Sequence, residues 1–170
     1  LVGVNLPGTP LVVVGSNGRI AWAFTNSTLD HTEVIRLEMS SNAPAHYRTP
    51  DGWKTFDVSE ETILIARANP RSVQITNTIW GPVIAGPANA PCAVKWTAHD
   101  PDGTNIRVKE LEELDTAEAA LALAPQVGIP AQNFIVADRS GAIGWTIMGR
   151  MPRRDGFDGR LPASLADGMK

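Results

Sequence analysis

The sequence has little of what several protein classes require. It contains one cysteine, Cys92, so an internal disulfide is excluded, and we predict a buried thiol that serves only packing. No apolar run approaches the roughly 18 residues that span a bilayer. Acidic and basic residues are interspersed around a net charge of −3, without a basic run. Neither a membrane nor a nucleic acid is therefore expected as a partner.

Standard catalytic signatures are also missing. No serine lies in a Gly-x-Ser-x-Gly or Ser-x-x-Lys motif, and no Ser-His-Asp set can be assembled from the spacing. The three histidines, His31, His46 and His99, are scattered without zinc-ligand spacing. Gly15-Ser16-Asn17-Gly18 has the chemistry of a hairpin turn rather than of a phosphate loop.

The chain instead carries many short β-prone runs separated by turn residues. Leu11–Val14 and Ile20–Thr25 flank the Asn-Gly turn and predict a hairpin. Further strands are predicted over residues 33–39, 46–48, 53–58, 62–66, 73–76 and 93–97. Turns about every 8–12 residues favour an antiparallel sheet or a small barrel.

The character of the sequence changes after residue 103. An Ala- and Leu-rich segment predicts a helix from about Thr116 to Ala124, with Asp115 as its N-cap and Glu118 as the capping-box partner. A second hairpin is predicted over residues 132–147.

Asn133 stands where the first strand of this second hairpin begins. A strand edge holds a side chain more rigidly than a loop does, so the carboxamide is a candidate fixed hydrogen-bond donor. The alternative is a strand-start residue that only caps a loop.

Three other sets of residues have the chemistry of a site. Asp30 and Glu33, with the Thr32 carbonyl between them, supply hard oxygen ligands that suit Ca²⁺; the alternative is a solvated pair of carboxylates. The five tryptophans suit either a carbohydrate platform or packing within the sheets. The third set is a basic cluster of Arg150, Arg153 and Arg154. This cluster could hold a carboxylate or position a catalytic loop. The alternative is a solvated loop.

Several of these segments occur together in one known family. In chain order they are Pro7-Gly8-Thr9-Pro10, residues 15–26, Asp30-x-x-Glu33, Pro50-Asp51-Gly52-Trp53, Gly81-Pro82-Val83-Ile84, residues 132–144 and Gly149-Arg150-Met151-Pro152-Arg153-Arg154. In this order they resemble the β-subunit of the penicillin acylase (penicillin amidase) family of N-terminal nucleophile hydrolases. The resemblance extends over nearly the whole chain.

The resemblance implies a self-cleaving precursor whose β-subunit begins with a serine. The α-amine of that serine is the base, its hydroxyl attacks an amide carbonyl, and water releases the acyl-enzyme. The serine is expected upstream of Leu1, so this chain is expected to be an inactive piece of a longer protein. The α-subunit is expected to supply much of the acyl pocket.

The resemblance also assigns roles to particular residues. The backbone N–H of Asn26 and the side chain of Asn133 form the oxyanion hole, and Arg154 supports the active site. Asp30 and Glu33 match structural Ca²⁺ ligands, with Thr32 between them. Glu33 departs from the family, which usually has Asp there, and Trp80 stands where the family has His before Gly-Pro.

The implied fold is α+β and β-rich, with two stacked antiparallel sheets between helical layers and an inserted small β-barrel. Residues 1–30 and 100–170 are assigned to the sheet domain, and residues 31–99 to the inserted module. Outside its parent the fragment is expected to expose apolar sheet surface, which favours self-association.

The expected partners are a small-molecule amide and the remaining α- and β-subunit segments. The family implies a periplasmic or secreted parent, although the start of this chain has no signal-peptide pattern. Penicillin side chains and N-acyl-homoserine lactones are both plausible acyl donors. The alternatives are a non-catalytic β-rich binding module, with the tryptophans as its platform, and a degenerate homologue that has lost the upstream serine.

Overall fold

The computed structural model of the chain describes residues 1–168. The chain forms two compact units, one of residues 1–31 and 97–152 and the other of residues 32–96 and 153–168. Both units are built on antiparallel sheets, which confirms the predicted β-rich α+β class. Across the described residues, no helix combines the length and apolar character that crossing a membrane requires.

The described chain contains twelve strands. In chain order they are β1 (Val2–Val4), β2 (Val14–Ser16), β3 (Ile20–Asn26), β4 (Thr32–Arg36), β5 (His46–Thr49), β6 (Gly52–Thr55), β7 (Asp57–Ile63), β8 (Arg71–Thr78), β9 (Gly81–Ala85), β10 (Pro91–Trp96), β11 (Gln132–Asp138) and β12 (Ile143–Met148). Among residues 1–168 the single α-helix is α1 (Ala117–Leu123). Short 3₁₀ helices lie at Pro87–Asn89, Thr97–His99, Pro101–Gly103, Arg107–Glu112 and Ala124–Gln126.

The first unit is a five-stranded antiparallel sheet covered on one face. Its strand order is β1-β2-β3-β11-β12. Alternation along β3 and β11 sends Ile20, Trp22, Phe134 and Val136 into one buried cluster with α1. Full burial of such a side chain contributes about 1.5–3 kcal/mol, so this face holds the unit together. The other face of the sheet remains largely exposed.

The turn of the first hairpin is tied to the 3₁₀ helix at Arg107–Glu112 through Asn17. The Asn17 amide nitrogen donates to the carbonyls of Leu111, Glu112 and Leu114, at 3.3, 3.2 and 2.7 Å. Its amide oxygen accepts the backbone N–H of Ile20 at 2.8 Å. Because these bonds use all of its donors and its acceptor, Asn17 is a structural carboxamide.

The predicted hairpins are present with shifted boundaries. The strand expected over Leu11–Val14 is wrong, because β2 begins only at Val14. Val12 donates its N–H to the Glu112 carboxylate at 2.8 Å, so this amide is taken by a side chain instead of a neighbouring strand. The second hairpin, formed by β11 and β12, confirms the pattern read over residues 132–147.

Helix α1 is confirmed, but its predicted N-cap is wrong. The N-cap is Thr116, which has extended backbone and whose hydroxyl accepts the Ala119 N–H at 3.2 Å. Asp115 lies one residue earlier and pairs with Arg19. The Asp138 carboxylate, at the end of β11, accepts the Ala117 N–H at 3.0 Å. The second hairpin therefore caps the helix that packs beneath it.

The second unit contains a five-stranded antiparallel sheet in the order β4-β10-β9-β8-β7 and the β5–β6 hairpin. Its core is the buried cluster of Ile35, Leu37, Tyr47, Ala93 and Leu165. Cys92 on β10 is also buried, as predicted.

Residues 153–168 pack with this second unit rather than with the first. Ala163 bridges to Ile35 on β4, and the Ser164 hydroxyl donates to the Glu38 carboxylate at 2.6 Å. This tail was assigned from the sequence to the sheet domain of residues 100–170. Backbone pairing with β4 and burial of Leu165 place it beside residues 32–96 instead.

Asp138 makes the stability of the first unit depend on pH. Hydrogen bonds to its carboxylate, the one from the Ala117 N–H foremost and those of Ser140 next, lower its pKa to about 2. A lowered folded-state pKa gives stability that is complete above the ordinary value of 3.8 and is lost as the pH falls towards 2.

We predict that Asp138→Asn lowers the melting temperature at pH 6 and that the difference from wild type narrows between about pH 4 and about pH 2. Thermal unfolding followed by circular dichroism at several pH values measures both. A difference that stays constant down to pH 2 would show that the charge of Asp138 contributes nothing.

Candidate functional site

Pairing of β3 with β11 brings Asn26 and Asn133 together in the first unit. The antiparallel register sets Gln132 opposite Asn26 and Asn133 opposite Thr25. The Asn133 amide nitrogen donates to the Asn26 carbonyl at 3.2 Å. Asn133 is half-buried and Asn26 is exposed at the end of its strand. The two predicted oxyanion-hole residues are thus neighbours, although 107 positions separate them in the chain.

The backbone after Asn26 is held in a defined turn. The Asn26 side-chain oxygen accepts the Thr28 N–H at 3.1 Å, and Thr28 has a φ of 54°, which is uncommon for a residue with a β-branched side chain. The Ser27 hydroxyl donates to the Ala131 carbonyl at 2.5 Å. These bonds join the end of β3 to the segment that leads into β11, and so fix the backbone beside Asn133.

A third side chain completes this group. The Trp145 indole N–H donates to the Asn133 amide oxygen at 3.2 Å. Trp145 lies on β12 opposite Ile135, two residues along from Asn133. No sequence motif had indicated that Trp145 lies beside Asn133. The alternation of the predicted hairpin was the signal that places the two side chains on one face.

Arg154 belongs to the second unit, where its guanidinium Nε lies 2.5 Å from Glu33 Oε1. The Glu33 side chain is 10% exposed and that of Arg154 is 21% exposed. Gly159 has a φ of 77°, and a Cβ at this position would lie 2.5 Å from Arg154 Nε. Glycine thus lets the chain approach the guanidinium closely.

The predicted calcium ligands lie on both sides of the boundary between the two units. The boundary between the two units falls after His31, so Asp30 belongs to the first unit and Thr32 and Glu33 to the second. Within residues 1–168, no group of three or more His, Cys, Asp or Glu side chains is arranged to hold a metal. Arg154 takes one of the two Glu33 carboxylate oxygens, Oε1. The calcium assignment for Asp30, Thr32 and Glu33 stays a prediction.

The basic cluster divides into separate ion pairs. Arg150 lies 2.8 Å from Asp100 in the first unit, and Arg153 pairs with Asp155 at 3.3 Å with its side chain 87% exposed. For Arg153 the solvated-loop interpretation is therefore the better one.

The tryptophans do not share one environment. Trp22 is buried in the first core, and Trp80 packs against Tyr47 with ring centroids 5.8 Å apart. Trp53, Trp96 and Trp145 are exposed. Core packing of Trp22 and Trp80 counts against a platform that uses all five rings.

An apolar cavity of about 630 Å³ lies in the first unit. Phe24 lines it from β3 and pairs with Phe134, so the cavity lies on the core-facing side of the sheet, opposite to the Asn133 side chain. Its other apolar walls include Leu6, Leu11, Ile106, Val108 and Ile129.

Comparison with known proteins identifies the family of this chain. The model of the penicillin amidase family matches residues 1–169. The chain belongs to the penicillin amidase family. This confirms the resemblance read from the sequence motifs.

Two relatives within the family show the extent of the similarity. The acyl-homoserine lactone acylase QuiP of Pseudomonas fluorescens is 26% identical over 174 residues, which cover 98% of this chain and 21% of the relative. The acyl-homoserine lactone acylase PvdQ of Pseudomonas putida is 28% identical over 154 residues, which cover 83% of this chain and 20% of the relative. The chain thus spans about a fifth of the length of these relatives.

A solved structure shares the fold. A thermostable penicillin G acylase from Alcaligenes faecalis matches with a TM-score of 0.81 and 22% identity, over 96% of this chain and 30% of that chain. The family's antiparallel sheet architecture is therefore retained in this chain.

We predict that Arg154→Met lowers the free energy of unfolding by about 3 kcal/mol, because it leaves the buried Glu33 carboxylate without its cation. Arg153→Met is the matched control, since its side chain is 87% exposed, and we expect a change below about 0.5 kcal/mol. Urea unfolding of both variants measures the difference. Equal stability of the two variants would contradict a structural role for the Glu33–Arg154 pair.

Proposed function

We propose that the complete protein containing this chain is an amide hydrolase that cleaves N-acyl amides through an acyl-enzyme. In this proposal the Asn133 side chain and the Asn26 backbone N–H stabilise the oxyanion. Family membership supports the reaction class, and the geometry of Asn133 supports the role of this chain.

The observation that carries the proposal is the state of the Asn133 amide nitrogen. This nitrogen has two hydrogens, and the Asn26 carbonyl accepts one of them. The other hydrogen is available to an oxygen of the substrate. Because Asn133 lies near the start of a paired strand and both its amide oxygen and its amide nitrogen are hydrogen-bonded, the donor is fixed before any substrate arrives. A donor that needs no reorganisation is what stabilises a developing negative charge most effectively.

The proposed reaction uses a nucleophile outside residues 1–170, the N-terminal serine that the family implies. Its hydroxyl oxygen attacks the acyl carbon while its proton passes to the α-amine of the same serine. The carbonyl oxygen becomes an anion facing Asn133 and Asn26. The C–N bond then breaks, the leaving amine takes the proton, and water hydrolyses the resulting ester by the same steps.

The substrate class is an acyl group joined to an amine through an amide bond. Relatives are acyl-homoserine lactone acylases, and the structural neighbour is a penicillin G acylase. These names support an N-acyl amide without choosing between the two leaving groups. By the same family resemblance we propose a periplasmic or secreted location for the complete enzyme.

The remaining segments of the parent are the proposed partners of the uncovered sheet face. Ile135, Ile143 and Trp145 are 46%, 78% and 62% exposed on the face that carries Asn133. A contiguous apolar surface of this kind marks an interaction site. In this proposal, covering it also excludes water from the oxyanion and strengthens the hydrogen bonds to it.

We predict that Asn133→Ala in the complete enzyme lowers kcat about 100- to 1,000-fold, the usual effect of losing one oxyanion donor. We expect the melting temperature to stay close to that of wild type, because Asn133 is half-buried at a strand end. Hydrolysis is measured on a panel of N-acyl anilides and N-acyl-homoserine lactones, using the substrate that wild type cleaves fastest.

Asn17→Ala is the matched control, since the Asn17 carboxamide serves only structural bonds. It should lower the melting temperature and leave kcat of the folded enzyme nearly unchanged. Near-normal turnover by Asn133→Ala, or a wild type that cleaves none of the panel, would contradict the proposed function.

A further inference from the structure

We propose that Trp145 is a positioning residue that sets the orientation of the Asn133 carboxamide. This inference rests on the proposed function, because it concerns the donor that Asn133 presents to the substrate. Trp145 then affects turnover only by orienting Asn133.

The β11–β12 register brings the two side chains together. Trp145 stands opposite Ile135 and Asn133 stands opposite Ile147, so Trp145 and Asn133 are diagonal neighbours on one face of the sheet. Such diagonal pairs are within reach of an aromatic side chain. The distance from the Trp145 indole nitrogen to the Asn133 amide oxygen is 3.2 Å.

The chemistry of the two neighbours of Asn133 allows only one orientation of its amide. An asparagine amide can turn by 180°, which exchanges its oxygen and nitrogen at little steric cost. The indole N–H of Trp145 only donates, whereas the backbone carbonyl of Asn26 only accepts. The observed orientation satisfies both. The reversed orientation would oppose two donors at Trp145 and two acceptors at Asn26.

Trp145 and the Asn26 carbonyl together determine which atom of Asn133 can face a substrate oxygen. Without the indole N–H, only the opposition of two oxygens at Asn26 disfavours a reversed amide, whose oxygen would repel an oxyanion. The hydrogen bond to the amide oxygen also polarises the amide. The hydrogen bonds that the amide nitrogen donates become stronger by roughly 10–30%. Both effects favour the charged intermediate over the neutral substrate, so they belong in kcat rather than in KM.

Packing within the first unit does not account for the indole. The residue is 62% exposed and lies on β12, the edge strand of the sheet. It is not part of the buried cluster that holds the sheet to α1. Its indole N–H is directed to Asn133, and this bond is the feature that a phenylalanine of similar shape would remove.

The test compares Trp145→Phe with wild type, Asn133→Ala and the double variant, all in the complete processed enzyme. We expect Trp145→Phe to lower kcat about five- to tenfold, the effect of one neutral hydrogen bond, with KM within about twofold of wild type. In the Asn133→Ala background the same substitution should have no further effect, since the residue it orients is gone.

Trp53→Phe is the control for removing an indole, because Trp53 is 54% exposed on β6 in the second unit. It should leave kcat and KM unchanged. If Trp145→Phe reduces the yield of folded enzyme, benzothienylalanine at position 145 keeps the ring shape, replaces N–H by sulfur, and should give the same loss of kcat.

Normal kcat in Trp145→Phe or in the benzothienyl enzyme would overturn the inference, provided that Asn133→Ala shows its expected large loss of kcat. A loss that multiplies with that of Asn133→Ala would also overturn it, because Trp145 would then act independently. Near-normal turnover by Asn133→Ala is a different result, since it removes the proposed function itself.

Discussion

The antiparallel pairing of β3 with β11 is the constraint on which the candidate site depends. It joins segments that lie far apart in the chain and sets Asn133 beside the end of β3, where its amide reaches the Asn26 carbonyl. The same pairing aligns Trp22 with Val136 and Phe24 with Phe134, so one face of the sheet builds the core while the other presents the carboxamide. Slippage by one residue would exchange the faces and lose both.

The sheet of the first unit is buried on one face and exposed on the other. Burial beneath α1 stabilises the first unit, whereas Ile143 remains 78% exposed on the side of Asn133. This asymmetry is consistent with a chain that spans about a fifth of its relatives. A rigid donor on an open apolar face is one part of a site. In the proposed function the nucleophile and the acyl pocket come from other segments of the complete protein.

Local sequence patterns predicted the presence of strands and helices better than the residues at which they begin and end. The hairpin at residues 132–147 and the helix near residue 117 follow from turn chemistry and composition. The prediction of Asp115 as the N-cap was wrong because tertiary contacts determine where the helix begins. Thr116 is the N-cap, and the Asp138 carboxylate at the end of β11 accepts the Ala117 N–H. Asn133 was a candidate donor from its position at the start of a strand, and the family motifs gave it a role. Its contact with Trp145 depends on the strand register. The Glu33–Arg154 pair spans 121 positions, a separation at which no local pattern acts.

A bound tetrahedral analogue shows directly whether Asn133 and Asn26 face the oxyanion. The measurement is a crystal structure of the complete enzyme with a boronic acid analogue of its acyl group bound to the nucleophile. We expect a boronate oxygen about 2.7–3.1 Å from both the Asn133 amide nitrogen and the Asn26 backbone nitrogen. A boronate oxygen bound by other groups, with the Asn133 amide directed away from it, would rule out this oxyanion hole.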